Sequence, residues 1–276
     1  MSKGVLIFAY NSKIDYVKIA TIAAALVHKH LDLPVTLVTD IDHNLDGCFD
    51  QIVRQPLKGK SYERIFKFGG ITEKVEWHNQ NRASAYELSP YDQTLLLDAD
   101  YLQFNGHLKY LFDTNLDISC YNKVHDISNW SGLQDDAHVG FPGIPMQWAT
   151  ALYFTKSPRA RAVFEMMESI KRNYAYYATL YNFGTELFRN DYTLSIALQI
   201  MTGYSQSNFT AIPGSLISAN TGIELLEARP NGELVFVWKY AETHRVTKIR
   251  NTNVHIMNKK TITDPDILEQ LKVLAQ

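Results

Sequence analysis

The chain has 276 residues, 46% hydrophobic and 20% charged, a size and composition that suit one large α/β domain with its own core and show no run near the ~20 apolar residues of a membrane-spanning helix. A formal net charge of -2 gives no global attraction to nucleic acid or to an anionic membrane. Its two cysteines, Cys48 and Cys120, match neither a metal spacing nor a disulfide framework, and the opening Met1 to Phe8 has too short an apolar run for a signal peptide, so the chain reads as soluble and cytoplasmic.

In chain order, Gly4 to Ala9 is a continuous apolar run of the kind buried in a parallel sheet, and Tyr10-Asn11-Ser12 breaks it. From Tyr16 to His30 apolar residues recur at helical spacing, and Val35 to Thr39 forms a second strand closed by Asp40. Strand, helix, strand is a right-handed crossover that opens both strand ends on one edge, where ligands bind in open α/β sheets. A weaker strand, Gln51 to Arg54, precedes a polar segment, Lys58 to Gly70, whose Lys58, Lys60, Arg64 and Lys67 read as a solvated loop or a basic patch. Arg82 to Leu88 reads as a short helix leading through Ser89-Pro90 into an apolar strand.

That strand, Thr94 to Leu97, runs into Asp98 and Asp100, with the small Ala99 between them. If the extended conformation continues, both carboxylates project from one face and make a claw for a divalent cation; the bland alternative is a polar turn. Beyond it come a helical turn at Leu108 to Phe112, a strand at Ile118 to Asn122, and a long Gly/Pro-containing stretch from Lys123 to Gln147. Thr150 to Phe154 reads as a strand, and Ser157-Pro158 as the start of a helix to about Tyr174. Asn190 is placed as the cap of a helix from Asp191 to Thr202, and Asp264-Pro265 as the start of a final helix. Leu234 to Tyr240 and Val254 to Ile256 are late strands, and the 16 Tyr and 13 Phe suit core filling for the most part and ring stacking for some.

Together these pieces resemble a GT-A-fold glycosyltransferase, in particular the glycogenin and galactosyltransferase-like family 8 of retaining, nucleotide-sugar-dependent enzymes. The run from Arg82 through Tyr91 to Asp98-Ala99-Asp100 is similar to that family's basic residue, helix, apolar strand and Asp-x-Asp. Phe8-Ala9-Tyr10-Asn11 with Asp15-Tyr16 resembles its nucleotide-base site, and Val254-His255 with Asn258-Lys259-Lys260 resembles its C-terminal histidine motif. The chain departs from the family at Ala149-Thr150-Ala151, where an Asn-Ser-Gly strand is usual, and at Asn190-Asp191, where an Asp-Gln helix start is usual.

The resemblance implies a single GT-A-like (Rossmann-like) domain over 1–276, with a mostly parallel central sheet flanked by helices, a nucleotide-binding half over about 1–105 and a sugar- and acceptor-binding half over about 106–276. It implies metal ligation by Asp98, Asp100 and His255, with Mn²⁺ preferred and Mg²⁺ tolerated by the mixed oxygen and nitrogen shell. Donor contacts would come from Ala9, Tyr10, Asn11, Tyr16, Asp40, Arg82, Ala99, Lys259 and Lys260, with Gln147 and Trp148 against the sugar. Tyr16 and Trp148 read equally as core residues, and Asp40 equally as the cap of a turn. Asp191 and Asn190 are the candidates for work at the sugar, with Glu186 in reserve, although Asp191 gains from the helix dipole on structural grounds too.

The expected activity is transfer of a sugar from a nucleotide-diphosphate donor, UDP-linked, to an acceptor left open among protein, glycan, small molecule and nucleic acid, the last reachable through Lys248 and Arg250 as well as the earlier basic residues. The alternatives are a metal-dependent nucleotidyl or phosphoryl transferase, which would use the same carboxylates, and a nucleotide-sugar-binding module without chemistry.

Overall fold

The structure is a computed structural model that describes residues 1–41, 47–56, 63–68, 71–76, 81–128, 138–140, 143–183, 188–205 and 209–276, the strands at 63–68 and 71–76 by their backbone. The first strands are β1 (Lys3–Phe8), β2 (Val35–Thr39) and β3 (Gln51–Arg54), with α1 (Tyr16–Leu31) crossing from β1 to β2. Asp15 starts α1 by accepting the Lys18 amide, and the left-handed Asp32 ends it. A hairpin of β4 (Glu63–Phe68) and β5 (Ile71–Glu76) follows, so a segment expected as loop is partly strand. Lys58 and Lys60 lie outside the described residues, as do the side chains of Arg64 and Lys67.

A 3₁₀ turn at Arg82–Ser84 and the single-turn α2 (Ala85–Leu88) lead into β6 (Gln93–Asp98), then β7 (Tyr101–Leu102), a 3₁₀ segment at His107–Asp113, and β8 (Ile118–Tyr121). The stretch expected to be irregular holds three short strands, β9 (Val124–Asp126), β10 (His138–Val139) and β11 (Ile144–Pro145), before the long β12 (Trp148–Thr155). The helices α3 (Pro158–Arg172), α4 (Tyr174–Leu180) and α5 (Asn190–Met201) come next, and Ser157 caps α3 through the Ala160 amide. Arg189, rather than Asn190, stands at the N-cap of α5, so Asn190 opens the helix as its first residue and is buried. The remainder is β13 (Leu216–Ala219), β14 (Ile223–Ala228), β15 (Glu233–Tyr240), β16 (Thr243–Arg250), β17 (Val254–Ile256), α6 (Lys259–Ile262) and α7 (Pro265–Ala275).

The main sheet has the order β3-β2-β1-β6-β12-β8. β3, β2, β1 and β6 are mutually parallel, and β12 runs antiparallel to β6 and β8. Alternation along the strands assigns its two faces: Val5, Ile7, Leu95 and Leu97 pack with α1 and α7, while Leu6, Phe8, Leu96 and Leu152 pack with α3 and α5. This is the mostly parallel α/β sheet flanked by helices that the sequence pattern implies. Gly4 is required where it stands, because a Cβ there would run into the Tyr91 ring, whose hydroxyl bonds Thr36 Oγ1 at 2.8 Å. A second sheet has the order β7-β17-β13-β9, and no described helix is long and apolar enough to cross a membrane.

Candidate active site

The strand order sets the location of the site. From β1 the chain moves outward to β2 and β3, and later returns to β1's other side as β6, so a crevice opens beyond the carboxyl ends of β1 and β6. The register pairs Phe8 with Asp98, which places Ala9 and Tyr10 beside the carboxylate.

β6 ends at Asp98 and the backbone turns through Ala99 and Asp100, so the two carboxylates are not carried by one continuous strand. Their convergence has a different origin. β7 pairs antiparallel with β17, setting Tyr101 opposite His255, and the Ile256 amide donates to the Asp100 carbonyl at 3.0 Å. One ligand atom from each of Asp98, Asp100 and His255 then lies within 4.8 Å of the others. His255 Nε2 is 3.4 Å from Asp100 Oδ2.

Two cations balance the carboxylates. Arg82 donates from Nη1 to Asp98 Oδ1, and Lys259 donates from Nζ to Asp100 Oδ2 and, at 2.9 Å, to the Ile256 carbonyl. Arg82 is among the largest fully buried side chains, yet its Nε and Nη2 have no hydrogen-bond partner among the described residues. Unpaired buried donors are costly, so they mark a place where an acceptor belongs. Burial pulls the Lys259 ammonium down to about 8, against the opposing pull of Asp98. Burial also lowers His255, with the Arg82 charge adding to it and Asp98 and Asp191 opposing, so the imidazole stays in the neutral form that can ligate a metal.

Around the end of β1, Ala9 and Tyr10 are buried. The Tyr10 hydroxyl donates to Gln55 Oε1 at 2.6 Å, and burial, then the Asp40 charge, raises its pKa. Asn11 accepts the Val17 amide at 3.0 Å and donates to Asp15 at 2.8 Å, which commits its amide to the start of α1. Tyr16 is half-buried against the core, while Asp40 and Lys260 are exposed.

On the other side of the crevice, Asp191 Oδ1 accepts the Ala149 amide at 2.8 Å and Oδ2 faces Arg189 Nη2 at 3.2 Å. After burial and Asp98, its charge is a further influence on the His255 imidazole, opposing the lowering of its pKa. Gln147 and Trp148 are buried, the Gln147 amide donating to Ser195 Oγ at 2.7 Å. Glu186 lies outside the described residues. Arg189 is the residue that the sequence reading missed: its guanidinium stands 5.8 Å from the Trp148 ring and 5.0 Å from the Tyr192 ring. The signal available for it was an Arg-x-Asp at a helix start. Of the late basic residues, Lys248 lies 3.8 Å from Glu233 and Arg250 donates to the Asn231 carbonyl.

No family model and no curated protein matches the sequence. Among solved structures the chain is similar to the galactosyltransferase LgtC in complex with donor and acceptor sugar analogs, with 16% identity over 71% of this chain and 70% of that one and a TM-score of 0.45. It is similar also to the glycosyltransferase GlyE of Streptococcus pneumoniae TIGR4, at 13% identity, 76% of this chain and a TM-score of 0.42, and spans 45% of that chain's length. A third is the mannosyltransferase PcManGT of Pyrobaculum calidifontis in complex with GDP-Man and Mn²⁺, at 14% identity, 77% of this chain, 54% of that one and a TM-score of 0.37.

Proposed function

We propose that the chain is a metal-dependent glycosyltransferase that moves a sugar from a nucleotide-diphosphate donor, UDP-linked, to an acceptor with retention at the anomeric carbon, in the cytoplasm. The observation that carries this reading is the meeting of Asp98, Asp100 and His255 at one crevice, with Arg82 and Lys259 beside them. Two carboxylates and a neutral imidazole are a donor set that fits Mn²⁺ first and Mg²⁺ second. An ion held by these three residues would supply electrophilic neutralisation of the leaving diphosphate.

The chain's own residues divide the remaining work. Arg82 brings its two unpartnered nitrogens, Nε and Nη2, to phosphate oxygens, and Lys259 and Lys260 add positive charge from the start of α6. Ala9, Tyr10, Asn11, Tyr16 and Asp40 form the wall for base and ribose, and Ala99 keeps the turn between the carboxylates small. Gln147 and Trp148 line the sugar side. Asp191, held in one orientation by the Ala149 amide and by Arg189, stabilises positive charge developing at the anomeric carbon, with Asn190 beside it. Glu186 is the second carboxylate for that role. The domain reading that accompanies this is one GT-A-like unit over 1–276, with nucleotide binding over about 1–105 and sugar and acceptor binding over about 106–276.

The test is a panel of nucleotide sugars incubated with and without Mn²⁺. Metal-dependent release of the nucleoside diphosphate supports the reading. Release of pyrophosphate assigns the site to nucleotidyl transfer, and binding without turnover across the panel assigns it to a non-catalytic module.

A further inference from the structure

We infer that Gln55 selects the base of the donor nucleotide, accepting a lactam edge, the adjacent C=O and N–H of uracil or guanine, and refusing the amino edge of cytosine or adenine. The inference deepens the donor reading above and rests on it.

Strand register places the residue. Phe8 pairs with Val38 and Val38 with Val53, and the three side chains pack on the same side of the main sheet. Two residues further on, where side chains return to that side, come Tyr10, Asp40 and Gln55. The pairing reaches past the ends of the strands, since the Ala9 amide donates to the Val38 carbonyl at 3.0 Å and the Gln55 amide to the Thr39 carbonyl at 2.9 Å. Gln55 is half-buried and stands in line with two side chains assigned above to base and ribose.

Hydrogen bonds fix which end of its carboxamide is which. Ser84 Oγ gives its proton to the Asn81 carbonyl at 2.6 Å, so towards any other group that oxygen accepts. Gln55 Nε2 faces it at 3.5 Å, while Gln55 Oε1 takes the Tyr10 hydroxyl proton at 2.6 Å. A flipped carboxamide would set its own carbonyl oxygen against the lone pairs of Ser84. Burial, then the Asp40 charge, raises the Tyr10 pKa, which keeps the phenol proton in place. The turn itself is braced, because the Lys171 ammonium donates to Asn81 Oδ1 at 2.8 Å, and Arg82 lies on that turn between Asn81 and Ser84.

One Nε2 proton of Gln55 is left over. It has no partner among the described residues, and Asp40, which follows the neighbouring strand, offers an exposed carboxylate. A donor next to an acceptor complements a carbonyl next to an N–H, the edge that uracil and guanine share. Cytosine and adenine carry an amino group in place of that carbonyl and a bare ring nitrogen in place of that N–H. Each contact would then set donor against donor or acceptor against acceptor.

The experiment titrates the full chain calorimetrically, with Mn²⁺ present, using UDP, CDP, GDP, ADP and inorganic pyrophosphate. UDP and CDP match in ring size and diphosphate, as do GDP and ADP, so the affinity ratio within a pair reads the base edge alone. In at least one pair the lactam base is expected to bind at least about tenfold more tightly, and the pair that responds tells uracil from guanine. Gln55→Met keeps the length of the side chain without its amide and should lower that ratio about fivefold. Gln55→Glu puts an acceptor where the N–H was and should lower it further. Loss of folded protein weakens both members of a pair alike, so it leaves the ratio where it was. Ratios near or below one in the unmodified chain, or a ratio unchanged in both variants, overturn the proposal and leave the glycosyltransferase reading standing. Binding of none of the five ligands removes that reading, and the proposal with it.

Discussion

His255 Nε2 stands 3.4 Å from Asp100 Oδ2, and the same oxygen accepts a hydrogen bond from Lys259. One carboxylate oxygen thus faces both an imidazole and an ammonium. If Asp98, Asp100 and His255 hold a divalent ion, that ion shares Asp100 with Lys259.

If these groups form a metal site, Asp100→Asn should abolish the stabilisation that Mn²⁺ and UDP give together. In the unmodified protein that stabilisation would reach about 2.7 kcal/mol at a ligand concentration one hundred times Kd. Thermal melts with the metal, the nucleotide and both would measure it, and an unchanged shift in the variant would remove Asp100 from the ligand set.

If Asp100 ligates an ion, Lys259, which pairs with the same carboxylate, competes with it in the donor-free protein. Lys259→Met should therefore bind Mn²⁺ alone more tightly and the nucleoside diphosphate less tightly than the unmodified chain. Calorimetric titration of the two ligands separately distinguishes this from general damage, which would weaken both.

Arg82 pairs with Asp98 from a side chain 2% exposed, while the Asp98 side chain is 21% exposed. Losing one partner of a fully buried pair costs about 3–5 kcal/mol, and the exposure of Asp98 brings the expected cost of Arg82→Met to about 2 kcal/mol. Urea denaturation checks the stability. UDP-induced stabilisation should fall in the same variant, because the two unpartnered nitrogens go with the guanidinium.

Gly4 lies under the Tyr91 ring, so Gly4→Ala should destabilise by about 1–3 kcal/mol through overpacking. Combining it with Tyr91→Ala should restore part of that loss relative to additivity, since the clash partner is then absent. A double-mutant cycle by urea denaturation would show it.

Burial lowers the Lys171 pKa from 10.5, with Glu168 opposing, and its ammonium donates to Asn81 Oδ1 at 2.8 Å. A lowered folded-state value means that the unfolded chain binds more protons than the folded one between that value and 10.5, so stability rises with pH across this window. The contribution is present above 10.5 and is lost as pH falls through the folded-state value. Lys171→Met should flatten that rise, as read by urea midpoints taken on either side of the window.

The α/β class, the crossover from β1 through α1 to β2, and the apolar strand running into Asp98 were legible in the sequence, because each is written in a local period: continuous apolar runs for buried strands, helical spacing for α1, a serine or aspartate with proline at the starts of α3 and α7. What local pattern left open was the hairpin at 63–76, whose polar residues look like loop until two strands pair, and α4, whose residues are not buried and so leave no periodic signature.

The residues of the candidate site divide in the same way. The sequence by itself determined that two carboxylates follow an apolar strand, and its family resemblance pointed to a distant histidine and lysine. Only the tertiary structure decided how they meet. The strand ends at Asp98, so a turn and the pairing of β7 with β17 aim Asp100 at His255, where a continuous strand would have aimed both carboxylates by alternation. Likewise no local rule puts Arg189 between Trp148 and Tyr192, because that contact is made between β12 and α5. Short-range steric and burial patterns are encoded along the chain, whereas charges brought together across strands depend on a sheet register that exists only after folding.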